Sequence, residues 1–444
     1  MADRVVIVGG DAAGMSAATR IRALRPETEI VVLEMSRFTS YSACGIPFVV
    51  GGLVAGGVEA LVARSPDEHR RRGIDVRTNH EATAIDIAAG EVEFLDQHVG
   101  TFSRIGYDHL MIATGGAPVR PDLPGIDLPF IHGVQTLDDA QALLALASGS
   151  CRKVVIVGGG YIGLEMAEAY VERGCAATVV EKAMQPLGVV DVDFGARVAE
   201  AMRSHGIDVR CGVAVDGFEP GSVLTSDGPI DADLVVLGIG VRARSELAEA
   251  AGIELADGGA VRVDDRQATS ADSVWSAGDC ATSTHLLTGQ PVHIALGTYA
   301  NKHGRVAGIN MAGGDARAAR VLGTAVTKLC ALEIALTGLR VTQAIDSGFD
   351  AVATTVDTTT AAGYLPHAST MTMRLVAERG TGRLLGAQIV GGPGAAKRID
   401  TLATAITAGM TAADVVDLDL AYAPPFSSVW DPVAVAAREA LKTL

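Results

Sequence analysis

The sequence has no excess of positive charge, no apolar run long enough to cross a bilayer and no closely spaced cysteines. Lys and Arg number 36 against 52 Asp and Glu, a net charge of −16 over 444 residues. That balance repels phosphate backbones and anionic lipid, so neither nucleic acid nor a membrane is an expected partner. The most apolar stretch, residues 46–58, is broken by Gly51, Gly52, Gly56 and Gly57, and it falls short of the roughly 20 residues that a spanning helix needs. Asp3-Arg4 leads straight into an apolar run with no secretion-signal pattern, so a cytoplasmic protein is expected. The six cysteines, Cys44, Cys151, Cys175, Cys211, Cys280 and Cys330, lack CxxC spacing and histidine companions. A disulfide framework and a structural metal site are both disfavoured, and no metal is expected.

What is present is ample apolar material, 48% of the chain with 20% charged residues, enough for several packed cores. The length predicts two to four domains. Residues Arg4 to Val8 form a β-branched run, followed by Gly9-Gly10-Asp11-Ala12-Ala13-Gly14, a helical stretch to about Arg25, a second strand Glu29 to Leu33, and Glu34 at its end. This order suits a dinucleotide. Gly9 permits the tight turn, the helix N-terminus faces a pyrophosphate, Gly14 lets helix and strand approach, and Glu34 can accept hydrogen bonds from a ribose. Asp11 stands where the fingerprint has its middle glycine, a carboxylate that is unhelpful beside a pyrophosphate unless it points away.

The same grammar recurs with every glycine in place. Lys153 to Val157 lead into Gly158-Gly159-Gly160-Tyr161-Ile162-Gly163, a helix to about Arg173, and a strand Ala177 to Val180 that closes on Glu181. Two units predict two dinucleotides close enough to exchange a hydride. Glu181 favours a free 2′-hydroxyl and therefore NADH, while the adjacent Lys182 leaves NADPH open.

Between the first acid and the next strand lies Ser40-Tyr41-Ser42-Ala43-Cys44-Gly45-Ile46-Pro47-Phe48. Cys44 precedes an expected helix with Pro47 in its early turn. A thiol at the positive end of a helix is expected to have a lowered pKa and to act as a thiolate. The ordinary alternative is a buried structural cysteine.

At these residues the chain resembles the pyridine nucleotide-disulfide oxidoreductases, and within them the single-cysteine branch of coenzyme A disulfide reductases, NADH-dependent persulfide reductases, NADH oxidases and NADH peroxidases. Further marks are Ala113-Thr114-Gly115, Trp275-Ser276-Ala277-Gly278-Asp279, Ala300-Asn301-Lys302 and Ala421-Tyr422-Ala423-Pro424-Pro425-Phe426. The resemblance implies an α/β fold of two Rossmann-like dinucleotide-binding domains and a C-terminal α+β dimerisation domain. Residues 1–112 and 245–322 would bind FAD, 113–244 NAD(P)H, and 323–444 a second subunit. Gly9, Gly14, Glu34, Ser42, Thr114, Gly115, Asp279 and Ala300 would hold FAD, with Glu34 on the ribose and Asp279 on the ribityl chain. Gly158, Gly160, Gly163 and Glu181 would hold the nicotinamide dinucleotide, with Tyr161 gating its pocket and Glu165 beside the ring.

The resemblance also narrows the chemistry. Dithiol relatives carry a second cysteine five positions on and a C-terminal His-Glu pair; here that position is Val49 and the pair is missing. Oxidised Cys44 would therefore pair with a substrate sulfur or with oxygen. Oxidases and peroxidases place a histidine where this chain has Ala12, which cannot transfer a proton. Tyr422 and Tyr364 match tyrosines that reach the partner subunit's cysteine in coenzyme A reductases, and Arg22, Arg70, Arg71 and Arg72 offer cations for coenzyme A phosphates. Ala43 departs from the asparagine that those reductases carry. The expected function is an FAD-dependent NAD(P)H:disulfide or persulfide oxidoreductase acting through Cys44, coenzyme A disulfide or a related thiol species first. The alternatives are an NADH oxidase or peroxidase, a ferredoxin-type carrier reductase, and a redox sensor.

Overall fold

A computed structural model describes residues 3–147, 149 and 151–444. Three five-stranded sheets organise the chain. The first is wholly parallel, in the order Val274–Ser276, His109–Ile112, Arg4–Val8, Glu29–Glu34, Asp75–Thr78. Its central strands read as unbroken apolar runs because helices and loops cover both faces: Val5, Val6 and Ile7 are fully buried, as are Val31 and Val32. The helix Ala12–Leu24 follows the first strand and packs on the long helix Gly297–Met311.

The second sheet repeats the plan with Asp208–Cys211, Ala176–Glu181, Lys153–Val157, Leu234–Leu237 and Ile131–His132, again parallel. The chain passes from the first sheet to the second through Gly116–Pro118 and returns through Val241–Ala243. These two short strands pair antiparallel, so the two nucleotide units are joined at one shared edge.

The third sheet is antiparallel, ordered Ala325–Leu329, Leu332–Gly338, Leu384–Gly391, Thr370–Glu378, Ala351–Thr359. Helices Ile399–Thr407 and Pro432–Ala440 lie on it. Every residue of Leu384–Gly391 is buried, which marks the centre of this domain's core. No helix of the described residues is long and apolar enough to cross a membrane.

The Cys44 segment is held between the first two units. Its short helix Ile46–Val50 packs against helices Leu137–Ala147 and Tyr161–Glu172, and Arg173 donates Nε to the Val50 carbonyl at 2.7 Å. Val49, at 2% exposure, is part of this core, so no second thiol stands five positions beyond Cys44.

Candidate active site

The two glycine turns open into one cavity of about 2420 Å³, several times the roughly 300–1,000 Å³ of a pocket for one small ligand. Gly9 has φ +108°, and a Cβ there would lie 2.1 Å from the Ala113 carbonyl oxygen; one on Gly14 would lie 2.0 Å from the Gly9 oxygen. Gly158 and Gly163 repeat this relationship, at φ +100° and with 2.0 Å to the Gly158 oxygen. These backbones can approach only without side chains, and the result is a helix N-terminus open to the cavity twice over. Gly9, Gly158 and Gly160 line the cavity, while Gly14 and Gly163 pack behind the turns.

Each turn is tied to the acid at the end of its second strand. Glu34 accepts the Gly10 N–H at 2.7 Å and the Ser36 N–H at 2.8 Å. Glu181 accepts the Gly159 and Ala183 N–H groups, both at 2.7 Å. The two carboxylates are thus fixed at matching places, facing the cavity. Ser42, Thr114, Gly115, Asp279 and Ala300 line the first half, and Tyr161 and Glu165 the second. This pair of glycine cradles, each with a preset acid, fits two dinucleotides.

Cys44 lies where the halves meet: the charges that act on it come from Glu165 on one side and Asp279 and Asp11 on the other. Among the described residues it is the one cysteine lining the cavity. Enclosure by the cavity walls pushes its thiol above the ordinary value, and the carboxylates add to the rise. This corrects the expectation of a lowered pKa. The thiol sits in the single turn Ala43–Gly45, the helix after it spans only Ile46–Val50, and burial, with three acids adding to it, outweighs that short dipole.

Asp11 turns toward the same segment, its Oδ1 accepting the Tyr41 N–H at 3.0 Å. Burial raises its carboxyl to about 7, with Glu34 and Asp279 contributing. Asp279 is raised by burial, and the nearby His293 lowers it. Glu165 is also raised by burial, partly offset by Thr327, whose Oγ1 donates to it at 2.9 Å. Lys328 pairs with Glu168 at 2.6 Å one turn further along. Nothing local to residues 325–329 announces a role for Thr327, and sequence reasoning passed it over. The same holds for Arg244, which lines the first half of the cavity.

The remaining expected residues lie elsewhere. Arg22, Arg70, Arg71 and Arg72 do not line the cavity. Arg22 donates to the carbonyls of Pro26 and Gly73, and Arg70 donates to the Val76 carbonyl and pairs with Asp67 at 2.7 Å. Two of these guanidinium groups are thus engaged in holding the chain, while Arg71 and Arg72 are exposed. Tyr364 and Tyr422 are 76% and 50% exposed and lie outside the cavity of their own chain.

The family model described as pyridine nucleotide-disulphide oxidoreductase matches residues 3–304, and that of the family's dimerisation domain matches residues 324–434. The chain belongs to the pyridine nucleotide-disulphide oxidoreductases. It is 38% identical over 442 residues to an NAD(P)H sulfur oxidoreductase (CoA-dependent) of Pyrococcus furiosus, covering 98% of each chain. It is 34% identical to an NADH oxidase of Methanocaldococcus jannaschii, covering 99% of both. The solved NAD-dependent persulfide reductase of A. fulgidus superposes with a TM-score of 0.96 at 35% identity, over 99% of this chain and 83% of that one. Pyridine nucleotide-disulphide oxidoreductases use FAD and a nicotinamide dinucleotide, which agrees with the two cradles. The enzyme is thus an FAD- and NAD(P)H-dependent oxidoreductase.

Proposed function

We propose that this oxidoreductase reduces sulfur–sulfur bonds at the expense of NADH, acting through Cys44 alone on coenzyme A disulfide or a coenzyme A persulfide. The observation that carries the reading is the single thiol between two nucleotide cradles, with buried Val49 where a partner cysteine would stand. The names of the P. furiosus and A. fulgidus relatives, matched over nearly the whole chain, support sulfur as the acceptor.

Gly9, Glu34 and Ser42, with Thr114, Gly115, Asp279 and Ala300, would hold FAD, with Gly14 letting the helix approach its strand. Gly158, Gly160, Gly163 and Glu181 hold the nicotinamide dinucleotide, with Tyr161 at the ring pocket and Glu165 beside it. The preset Glu181 carboxylate favours NADH. Domain limits near residues 112, 245 and 323 separate the FAD, NADH and dimerisation units.

Bound FAD supplies the two-electron relay between nicotinamide and thiol. The Cys44 thiolate attacks one sulfur of the substrate, the substrate's sulfur–sulfur bond breaks, and the departing thiolate takes a proton. Two electrons from NADH then break the new bond to Cys44, restoring the thiolate and releasing the second thiol from a disulfide or hydrogen sulfide from a persulfide. Tyr422 of a second copy of the chain is the proton source, supported by Tyr364. A homodimer is therefore required, in keeping with the dimerisation-domain match. The coenzyme A phosphates would be met outside the cavity, where Arg71 and Arg72 are exposed.

The test is anaerobic NADH oxidation with coenzyme A disulfide, coenzyme A persulfide and glutathione disulfide in parallel, with oxygen uptake and peroxide consumption as controls. A strong preference for a coenzyme A species, lost in Cys44→Ser with FAD retained, is expected. Turnover confined to oxygen or to a carrier protein would overturn it.

A further inference from the structure

The first glycine turn carries one side chain that a dinucleotide cradle does not call for. Asp11 is the N-cap of the 13-residue helix Ala12–Leu24 and lines the cavity at the helix N-terminus, where a diphosphate sits in a fold of this kind. Its carboxyl is bonded by the Tyr41 N–H and faced by the Ala12 N–H. The charges against it are all acidic. Glu34 faces it from the second strand and Asp279 from the loop after Val274–Ser276, and none of the strongest influences on it among the described residues is a basic side chain. The Tyr41 phenol and the Cys44 thiol face it from the active-site segment. Arg244 acts on Tyr41 and His293 on Asp279, each one group removed.

Glu34 has backbone donors to both oxygens. Asp11 has the Tyr41 N–H on one oxygen but lies buried among acids, and an ionised carboxylate there would repel a diphosphate. A neutral acid reverses the sign, because it offers an O–H to an anion.

We propose that Asp11 is a proton-carrying ligand of the FAD diphosphate. Its O–H donates to a phosphate oxygen while its other oxygen keeps the Tyr41 N–H, so FAD binding takes up one proton from solvent and ties the Ser40–Cys44 segment to the cofactor. No other bond changes. Burial already holds the carboxyl at about 7 without a phosphate nearby, and an adjacent diphosphate raises it further. Below that value Asp11 is protonated beforehand and binding takes up nothing. Above it the proton must be acquired, and affinity falls as pH rises. The inference goes beyond the proposed function and holds whichever acceptor Cys44 serves.

Two measurements test it. FAD-stripped full-length protein is titrated with FAD by calorimetry in two buffers of different ionisation enthalpy, and released flavin is followed by fluorescence on dilution of the holoenzyme across a pH series. Uptake approaching one proton per FAD near pH 8, vanishing near pH 5.5, is expected, with Kd weakening roughly 20-fold between about pH 6.5 and 8.5. Asp11→Asn keeps a donor and should bind FAD with a flat pH profile and no proton uptake. Native protein that binds FAD without taking up a proton would overturn the proposal, as would an Asn variant with the native pH dependence. If that variant does not fold, the native calorimetry decides alone.

Discussion

Thr327 donates its hydroxyl to Glu165 at 2.9 Å across 162 residues of sequence, joining the first strand of the C-terminal domain to the helix of the second glycine turn. Burial raises the Glu165 carboxyl and this bond lowers it. Thr327→Val removes the donor that favours the charged form, so the carboxyl should titrate at higher pH, by about one unit or more for a charge-accepting bond of about 1.5–3 kcal/mol. Difference infrared spectroscopy of the carboxyl band, with Glu165→Gln to assign it, measures this. An unchanged titration would mean that solvent replaces Thr327.

The Cys44 thiol provides a second check. With its pKa raised by enclosure and by Glu165, the thiolate fraction at a given pH is smaller than for an ordinary cysteine. Alkylation of FAD-free protein by iodoacetamide should therefore inflect above the usual thiol range. Glu165→Gln removes one negative charge and should move the inflection down. An upward move would contradict the electrostatic account.

Nucleotide choice turns on Glu181, whose carboxylate is fixed by two backbone amides at 2.7 Å. Glu181→Ala removes the ribose acceptor and makes room beside Lys182 for a 2′-phosphate. The ratio of kcat/KM for NADH over NADPH should fall roughly 10- to 100-fold, the loss of one to two hydrogen bonds to a charged group. A ratio unchanged within twofold would show that other residues read the ribose.

Arg398 connects the two exposed tyrosines. Its guanidinium, 12% exposed, donates to the Thr360 carbonyl at 2.9 Å and the Phe426 carbonyl at 2.6 Å and pairs with Asp431 at 3.6 Å. Those carbonyls belong to the segments bearing Tyr364 and Tyr422, which also meet through Ala362 N–H to the Pro424 carbonyl at 2.9 Å. Arg398→Ala removes the partner of the buried Thr360 carbonyl and of the shielded Asp431 carboxylate and should cost about 1–3 kcal/mol of stability in the C-terminal domain. Disulfide turnover should fall at least tenfold while NADH-to-ferricyanide activity changes less than twofold. Equal losses in both assays would make Arg398 a purely structural residue.

Fold class and family were legible in the sequence because their signals are local. A glycine turn, its helix and its closing acid lie within about 30 residues, and the last glycine of each turn answers a contact inside that unit, as Gly14 does against the Gly9 carbonyl. The single cysteine and the missing second one are equally local, and they lead to the sulfur–sulfur chemistry without a structure. Ionisation was not legible. Cys44 reads as a helix-activated thiolate from its neighbour Pro47, yet its pKa is raised first by burial and then by Glu165, Asp279 and Asp11, which come from three distant segments.

Charge runs mislead for the same reason. Arg70 reads as a free cation beside Arg71 and Arg72, but the packed chain gives it the Val76 carbonyl and Asp67. The sequence by itself determined which units form and which atoms can react, since backbone conformation and thiol chemistry depend on near neighbours. Only the tertiary structure decided which charges surround Cys44, which hydroxyl steadies Glu165 and which arginines are engaged, because Coulomb and desolvation energies depend on distance through space.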